Sequence, residues 1–367
     1  MAKNKYWDIN KILNYNAQYN VVFGERSNGK TYGTLQFGLE RYFSGKGKFA
    51  IIRRWEEDFR GKQASTMFDS LCANGVISRL SKGKYNGMVY QSHRWYLCHR
   101  DIENPKNILI HDEPFAYAFA LSSEEHYKSS SYPDIRLIIF DEFLTRNVYL
   151  PDEFVKFTSI LSTIIRLRTD VIIFMLGNTV NKYSPYFTEM GLTNIKKMER
   201  GKIDIYRYGD SGLTVAVEYS DFPTKEKKSN VYFAFNNPKL EMIRSGAWEM
   251  DIYPHLPVKY KPKDIIYMYF IQFDGETLQC EIINVVDENK NDLLFTYIHR
   301  KTTEIKEDGY SIVYSDISSP LPNHRKKITK PVTELEKKIV SFFVKDKIFY
   351  QDNEVGEIIR NYLEWCR

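Results

Sequence analysis

The 367-residue chain has no stretch of about 18 uninterrupted apolar residues, so the sequence predicts no ordinary membrane-spanning helix and no membrane partner. Its four cysteines, Cys72, Cys98, Cys280 and Cys366, lie far apart and form no CxxC pair. That spacing supplies neither a zinc site nor a disulfide framework and predicts reduced thiols in a cytoplasm. The opening residues, MAKNKYWDINKILNYN, mix charge and amide without an apolar core, which argues against a secretory leader. No internal repeat is visible. Charge of one sign is scarcely in excess: 52 Lys and Arg against 47 Asp and Glu give a net +5, which permits a polyanionic partner without requiring one. Aromatic residues, in contrast, are plentiful. The 27 Tyr and 23 Phe read as packing material in core and surface rather than as base-stacking platforms. With 43% hydrophobic and 27% charged residues the chain can bury a core, and its length predicts two domains.

Along the first part, short apolar runs alternate with amphipathic stretches, the pattern of an α/β domain with a mainly parallel sheet. YNVVF (19–23), FAII (49–52), LIIF (137–140) and VIIFML (171–176) read as strands. Residues 30–43, 56–72 and 151–168 read as helices, the last opened by Pro151. Residues 75–111 read as hairpin material. The turn-rich GKIDIYRYGDSG and the charged TKEKKSN predict a linker over 201–230, between a domain at 1–200 and a second at 231–367. In the latter, IIYMYFIQF and TLQCEIINVV flank Asp274-Gly275, a hairpin signal, and the tail from Val332 reads as two helices split near 345–352.

Gly24-Glu25-Arg26-Ser27-Asn28-Gly29-Lys30-Thr31 fits the GxxxxGK[ST] pattern of a P-loop, or Walker A motif, between a predicted strand and a predicted helix. Gly24 and Gly29 let the backbone turn its N–H groups inward on phosphate oxygens, and the helix start adds its positive dipole end. Lys30 is then placed for the β- and γ-phosphates of ATP, and the Thr31 hydroxyl for Mg²⁺. Asp141 and Glu142 end the LIIF strand as a Walker B pair: Asp141 for the metal shell, Glu142 as general base on the attacking water. His111-Asp112-Glu113-Pro114 is a weaker rival, read as solvated loop acids. Asn178 follows the VIIFML strand, where an amide either senses the γ-phosphate or simply makes a turn. Arg53 and Arg54 end the second strand. Arg166 and Arg168 close a predicted helix, as dipole partners or as an arginine finger from a neighbouring subunit. Arg60 and Lys62 are candidates for nucleic-acid phosphate, or are solvated.

Together the runs NVVFGERSNGKT, IIRRWE, SSSYPDIRLIIFDEF, NVYLPDEF, IIRLR and LGNT followed by VNKYSPYF resemble the DNA-packaging ATPases of phi29-like tailed phages, over most of residues 1–200. The resemblance implies a P-loop NTPase of the additional-strand, catalytic-glutamate class that assembles as a homo-oligomeric ring, a pentamer, on the portal vertex of an empty prohead and threads double-stranded DNA inside. It implies ATP and Mg²⁺ as cofactors, Arg166 as the trans-acting finger, and Asn178 at the position that follows the sensing strand. Some members also dock through a structural packaging RNA. The protein is then expected in the host cytoplasm, transiently at the portal, and absent from the mature virion. By analogy the second half is a smaller α+β domain, partly RNase H-like. Its acids Asp274, Glu281, Asp287 and Asp316 show no regular pairing and predict no intact two-metal nuclease site. The basic HRKKITK (324–330) is either a grip on DNA, RNA or portal, or a solvated linker. Two alternatives stay open: a terminase-like enzyme with an active metal-dependent nuclease, and a non-motor P-loop nucleotide-binding protein.

Overall fold

Strands that are apolar at every position must be covered on both faces, and the computed structural model shows how these are covered. It describes residues 6–221 apart from 102, 105 and 129, together with 248–286, 291–306 and 309–367. The chain divides into two units, 1–249 and 250–367.

In chain order, the first unit holds α1 (Asn10–Leu13), β1 (Tyr19–Gly24), α2 (Lys30–Phe43), β2 (Lys48–Arg53), α3 (Lys62–Thr66), α4 (Asp69–Ala73), α5 (Val76–Leu80), β3 (Gly87–Gln91), β4 (Arg94–Arg100), β5 (Ile108–Ala120), β6 (Ile135–Asp141), α6 (Glu153–Ile165), β7 (Ile172–Asn178), α7 (Pro185–Glu189), β8 (Ile203–Tyr208) and β9 (Leu213–Ser220). The nine strands form one sheet in the order β3-β4-β5-β2-β6-β7-β1-β9-β8. β5, β2, β6, β7, β1 and β9 run parallel, and the outer pairs are antiparallel. One strand, β7, lies between β1 and β6, as the additional-strand class requires. Alternation along each strand builds two cores. Val21, Phe23, Ile138, Phe140, Ile173 and Met175 pack with Phe157, Ile160 and Ile164 of α6, while Val22, Ile139, Phe174 and Leu176 pack on the other face with Leu35 and Leu39 of α2.

Three expectations are corrected. The helix read over 56–72 is broken into a 3₁₀ turn at Glu56–Phe59, α3 and α4, because Gly61 adopts φ +63° between the first two. The acids Asp112 and Glu113 lie on the long strand β5, not in a loop; β5 pairs with β4 through register shifts, with Pro114 opposite Tyr96. The largest correction concerns 201–230. The hairpin β8–β9 belongs to the first unit: residues 215–220 of β9 pair in parallel with the whole of β1, so the sequence up to 220 completes the sheet rather than linking domains. Residues 222–247, including the TKEKKSN run, lie outside the described residues.

The second unit carries β10 (Ile265–Phe273), β11 (Glu276–Val286), β12 (Asp292–Arg300), β13 (Val313–Ser315), β14 (His324–Arg325), α8 (Glu334–Val344), β15 (Ile348–Tyr350) and α9 (Asn353–Trp365). The sheet order is β14-β13-β10-β11-β12-β15. An antiparallel meander of β10 to β12 carries parallel strands at both ends, β13 and then β14 beside β10, and β15 beside β12. The Asp274-Gly275 turn has both residues at positive φ, as a two-residue hairpin demands. HRKKITK is no linker: it forms β14, buries Ile328, and its Arg325 pairs with buried Glu336 of α8 at 2.9 Å.

Candidate functional site

Parallel register brings the strand ends into a row. Gly24 of β1 pairs with Asn178 of β7 on one side and Ser220 of β9 on the other; Asp141 of β6 pairs with Leu176, and Arg53 follows Ile52, the partner of Phe140. Asp141, Asn178 and the loop at Gly24, expected at the phosphates, therefore share one edge of the sheet, and Arg53, for which the sequence suggested no role, ends its strand there too.

The loop from Gly24 to Thr31 turns through positive φ at Gly24, Ser27 and Gly29, the last opening α2. A Cβ at Gly24 would meet Ser220 Oγ at 2.2 Å, so this backbone passes where only glycine fits. Asn28 is buried; its Nδ2 donates to Ser220 Oγ at 2.9 Å and its Oδ1 accepts from Lys30 Nζ at 3.1 Å. The Lys30 ammonium also donates to the Glu25 carbonyl at 2.8 Å and to Asn178 Oδ1 at 3.4 Å. Burial lowers the pKa of Lys30 to about 8, against the pull of Asp141 and Glu218. A buried cation bonded to neutral acceptors, beside a backbone too close for any Cβ, is a fit for phosphate.

Thr31 Oγ1 donates to Asp141 Oδ1 at 3.0 Å, so the two residues expected at the metal touch directly. Hydroxyl and carboxylate oxygens are the donors that Mg²⁺ takes. Arg53 spans both acids: Nη2 to Asp141 Oδ2 at 2.7 Å and Nη1 to Glu142 Oε2 at 2.9 Å. Glu142 stands at φ +61°, with its side chain largely exposed over a cleft of about 390 Å³ that Arg26, Arg53, Asn178, Arg146 and Glu249 also line. A larger cavity, about 620 Å³, opens among Lys48, Glu113, Asp134, Arg136 and Asp170. There Lys48 pairs with Glu113 and Asp134 and Arg136 with Asp170, and none of the phosphate-loop residues lines it.

Of the loop residues, Arg26 turns outward to an ion pair with Glu249 at 3.2 Å. Arg60 and Lys62 are exposed, Arg60 within 3.8 Å of Glu57. Arg166 is not with the other site residues of its own chain: it caps the far end of α6, where its Nη2 donates to the Ser130 carbonyl at 2.9 Å. Arg168 is fully engaged by main-chain oxygens, among them those of Pro133 at 2.8 Å and Ile135 at 2.6 Å. Leu167 between them is completely exposed. The two arginines differ, then: Arg168 fastens the turn and Arg166 is offered outward.

Sequence reading missed a second layer. Trp7 lies against the loop, its N–H donating to the Asn28 carbonyl at 2.9 Å and its indole Nε1 to buried Glu218 at 3.0 Å. Burial raises Glu218 to about 7 even though the Trp7 bond favours its charge. An acid inside the apolar run VAVEYS was the available signal. In the second unit, Asp274 N donates to Asp316 at 3.0 Å, while Glu281 stands apart, accepting from Tyr260 at 2.5 Å and lying 3.4 Å from His299. Asp287 lies outside the described residues.

Comparison with known proteins gives the family and the fold. The sequence model of the podovirus DNA encapsidation protein (Gp16) family matches residues 99–358. The chain belongs to that family. The DNA packaging protein of Bacillus phage phi29 is 23% identical over 323 residues, spanning 87% of this chain and 86% of that one. The DNA packaging protein of Bacillus phage PZA is 23% identical over 283 residues, 76% of each. A chain of the bacteriophage phi29 viral genome packaging motor assembly superposes with a TM-score of 0.57 at 19% identity, over 98% of this chain and 97% of that one, and shows the same fold. The family expected from the sequence is the one found.

Proposed function

We propose that this DNA-encapsidation protein is a motor that hydrolyses ATP to drive double-stranded DNA through a portal into an empty prohead. The observation that carries the reading is the contact of Thr31 with Asp141 beneath the Gly24–Thr31 loop, which joins the two halves of a nucleotide site. Thr31 and Asp141 are the residues to hold Mg²⁺, which when bound supplies positive charge to the phosphate oxygens. Lys30 and the loop N–H groups bind and orient the triphosphate. Glu142 takes the proton of the attacking water, and Asn178, bonded to Lys30, reports whether the terminal phosphate is present.

Arg166 serves the neighbouring subunit: it lies away from its own site, its side chain is held by one hydrogen bond, to the Ser130 carbonyl, and it stands beside fully exposed Leu167. That role requires a ring, and a pentamer is the arrangement we favour. Arg60 and Lys62 hold DNA phosphate without regard to sequence. The protein acts in the host cytoplasm, at the portal only while DNA enters, and leaves before the virion matures. The test is phosphate release measured with and without proheads and double-stranded DNA. Stimulation by the two together, abolished by Lys30→Ala, is expected; a rate indifferent to both overturns the reading.

A further inference from the structure

Arg54 sits beside the arginine that holds the two site acids, yet it points elsewhere. Its guanidinium is buried and grips Glu153 through two bonds, Nε to Oε2 at 2.7 Å and Nη2 to Oε1 at 2.8 Å. The same guanidinium donates to the carbonyls of Phe143 at 2.8 Å and Glu142 at 3.3 Å. Glu153 is the first residue of α6; it also accepts from Leu150 N and from the Tyr186 hydroxyl, both at 2.8 Å. One buried ion pair therefore ties the backbone of the catalytic glutamate to the start of a helix.

The other end of that helix carries Arg166. α6 is 13 residues long, about 20 Å. Phe157, Ile160, Leu161 and Ile164 fix it along the core, and Arg168 fastens its final carbonyls to the chain entering β6. Close-packed interiors yield little to compression, so a shift at Glu153 travels to Arg166 as a shift of the rod.

We propose that Arg54 and Glu153 are positioning residues that set the aim of Arg166, so that the state of one subunit's phosphate site governs the finger it lends to the next. The inference rests on the reading of Arg166 as acting in trans. The nucleotide state at Asp141 and Glu142 moves the Glu142–Phe143 backbone; Arg54 carries that movement to Glu153; α6 carries it to the neighbouring site.

The experiment uses full-length chains mixed on proheads with double-stranded DNA. Arg166→Ala subunits keep a phosphate site and lack a finger; Lys30→Ala subunits keep a finger and lack a working site. Their mixture is expected to recover ATPase activity. Donors carrying both Lys30→Ala and Glu153→Gln are expected to restore about tenfold less, because misplacing a reacting group by about 1 Å costs up to about 10²-fold. The donor's own site is already dead, so the second change can act only through the finger. Equal restoration by both donors overturns the proposal. No recovery even with single Lys30→Ala donors refutes the trans reading and the proposal with it, and that failure shows in the control arm. Melting temperature and co-assembly are measured on each donor. Should Glu153→Gln fail to fold, Lys30→Ala with Arg54→Lys takes its place and must show the same deficit, since lysine keeps the charge and loses the two-pronged grip.

Discussion

The indole Nε1 of Trp7 donates to Glu218 Oε2 at 3.0 Å and so fastens residues 211 apart in sequence behind the phosphate loop. The acid is buried, and its pKa is raised from 4.5 to about 7. A carboxyl raised on folding contributes stability that is complete below about pH 4.5 and is lost as pH rises through about 7. Melting temperature is therefore expected to fall between pH 5 and 8, by an amount equivalent to about 3 kcal/mol at most. Glu218→Gln, whose carbonyl still accepts from Trp7, is expected to flatten that profile. An unchanged slope in thermal melts across this range rules out Glu218 as its source.

Glu142→Gln keeps the size of the side chain and removes the proposed base. Nucleotide binding, followed by a fluorescent ATP analogue, is expected to stay within about twofold, while turnover falls by about 10²–10⁴. Near-normal turnover places the base elsewhere.

Gly24 faces Ser220 so closely that an added methyl would overlap its hydroxyl. Gly24→Ala is expected to cost about 2 kcal/mol in denaturant melts and to abolish ATP binding. Pairing it with Ser220→Gly should return part of the stability, because the Ser220 carbonyl, 2.9 Å from the same point, still obstructs. Binding by the single variant at wild-type affinity contradicts the tight cradle.

Arg60 and Lys62 are exposed on the stretch that follows β2. If both hold DNA phosphates, Arg60→Ala with Lys62→Ala lowers the slope of log affinity against log salt by about 2, with no change in sequence preference. A slope unaltered in titrations from low to moderate salt removes them from the DNA contact.

The chemistry-bearing edge was legible because its signals are contiguous: eight residues write the phosphate loop, and LIIFDE writes strand and acids together. The strands β2, β6 and β7 were legible for the same reason, as unbroken apolar runs, and β1 as an apolar run interrupted only by Asn20. What escaped depends on pairing across distance. IDIYRY and LTVAVEYS sit amid Gly, Asp and Ser, so the local texture reads as a boundary, and only pairing of β9 with β1 makes them part of the sheet. Trp7 looks like any early aromatic until Glu218 is brought beneath it. Arg54 and Glu153 each read as an ordinary charged residue, since nothing local announces that they meet at 2.7 Å inside a core.

The strand that carries the phosphate loop has neighbours on both sides, β7 and β9, and its Val21, Val22 and Phe23 are wholly sealed from solvent. In deuterium labelling, these amides should open only when the whole domain unfolds. The phosphate loop is thus expected to hang from a slowly exchanging strand, with whatever mobility it shows confined to the turn itself.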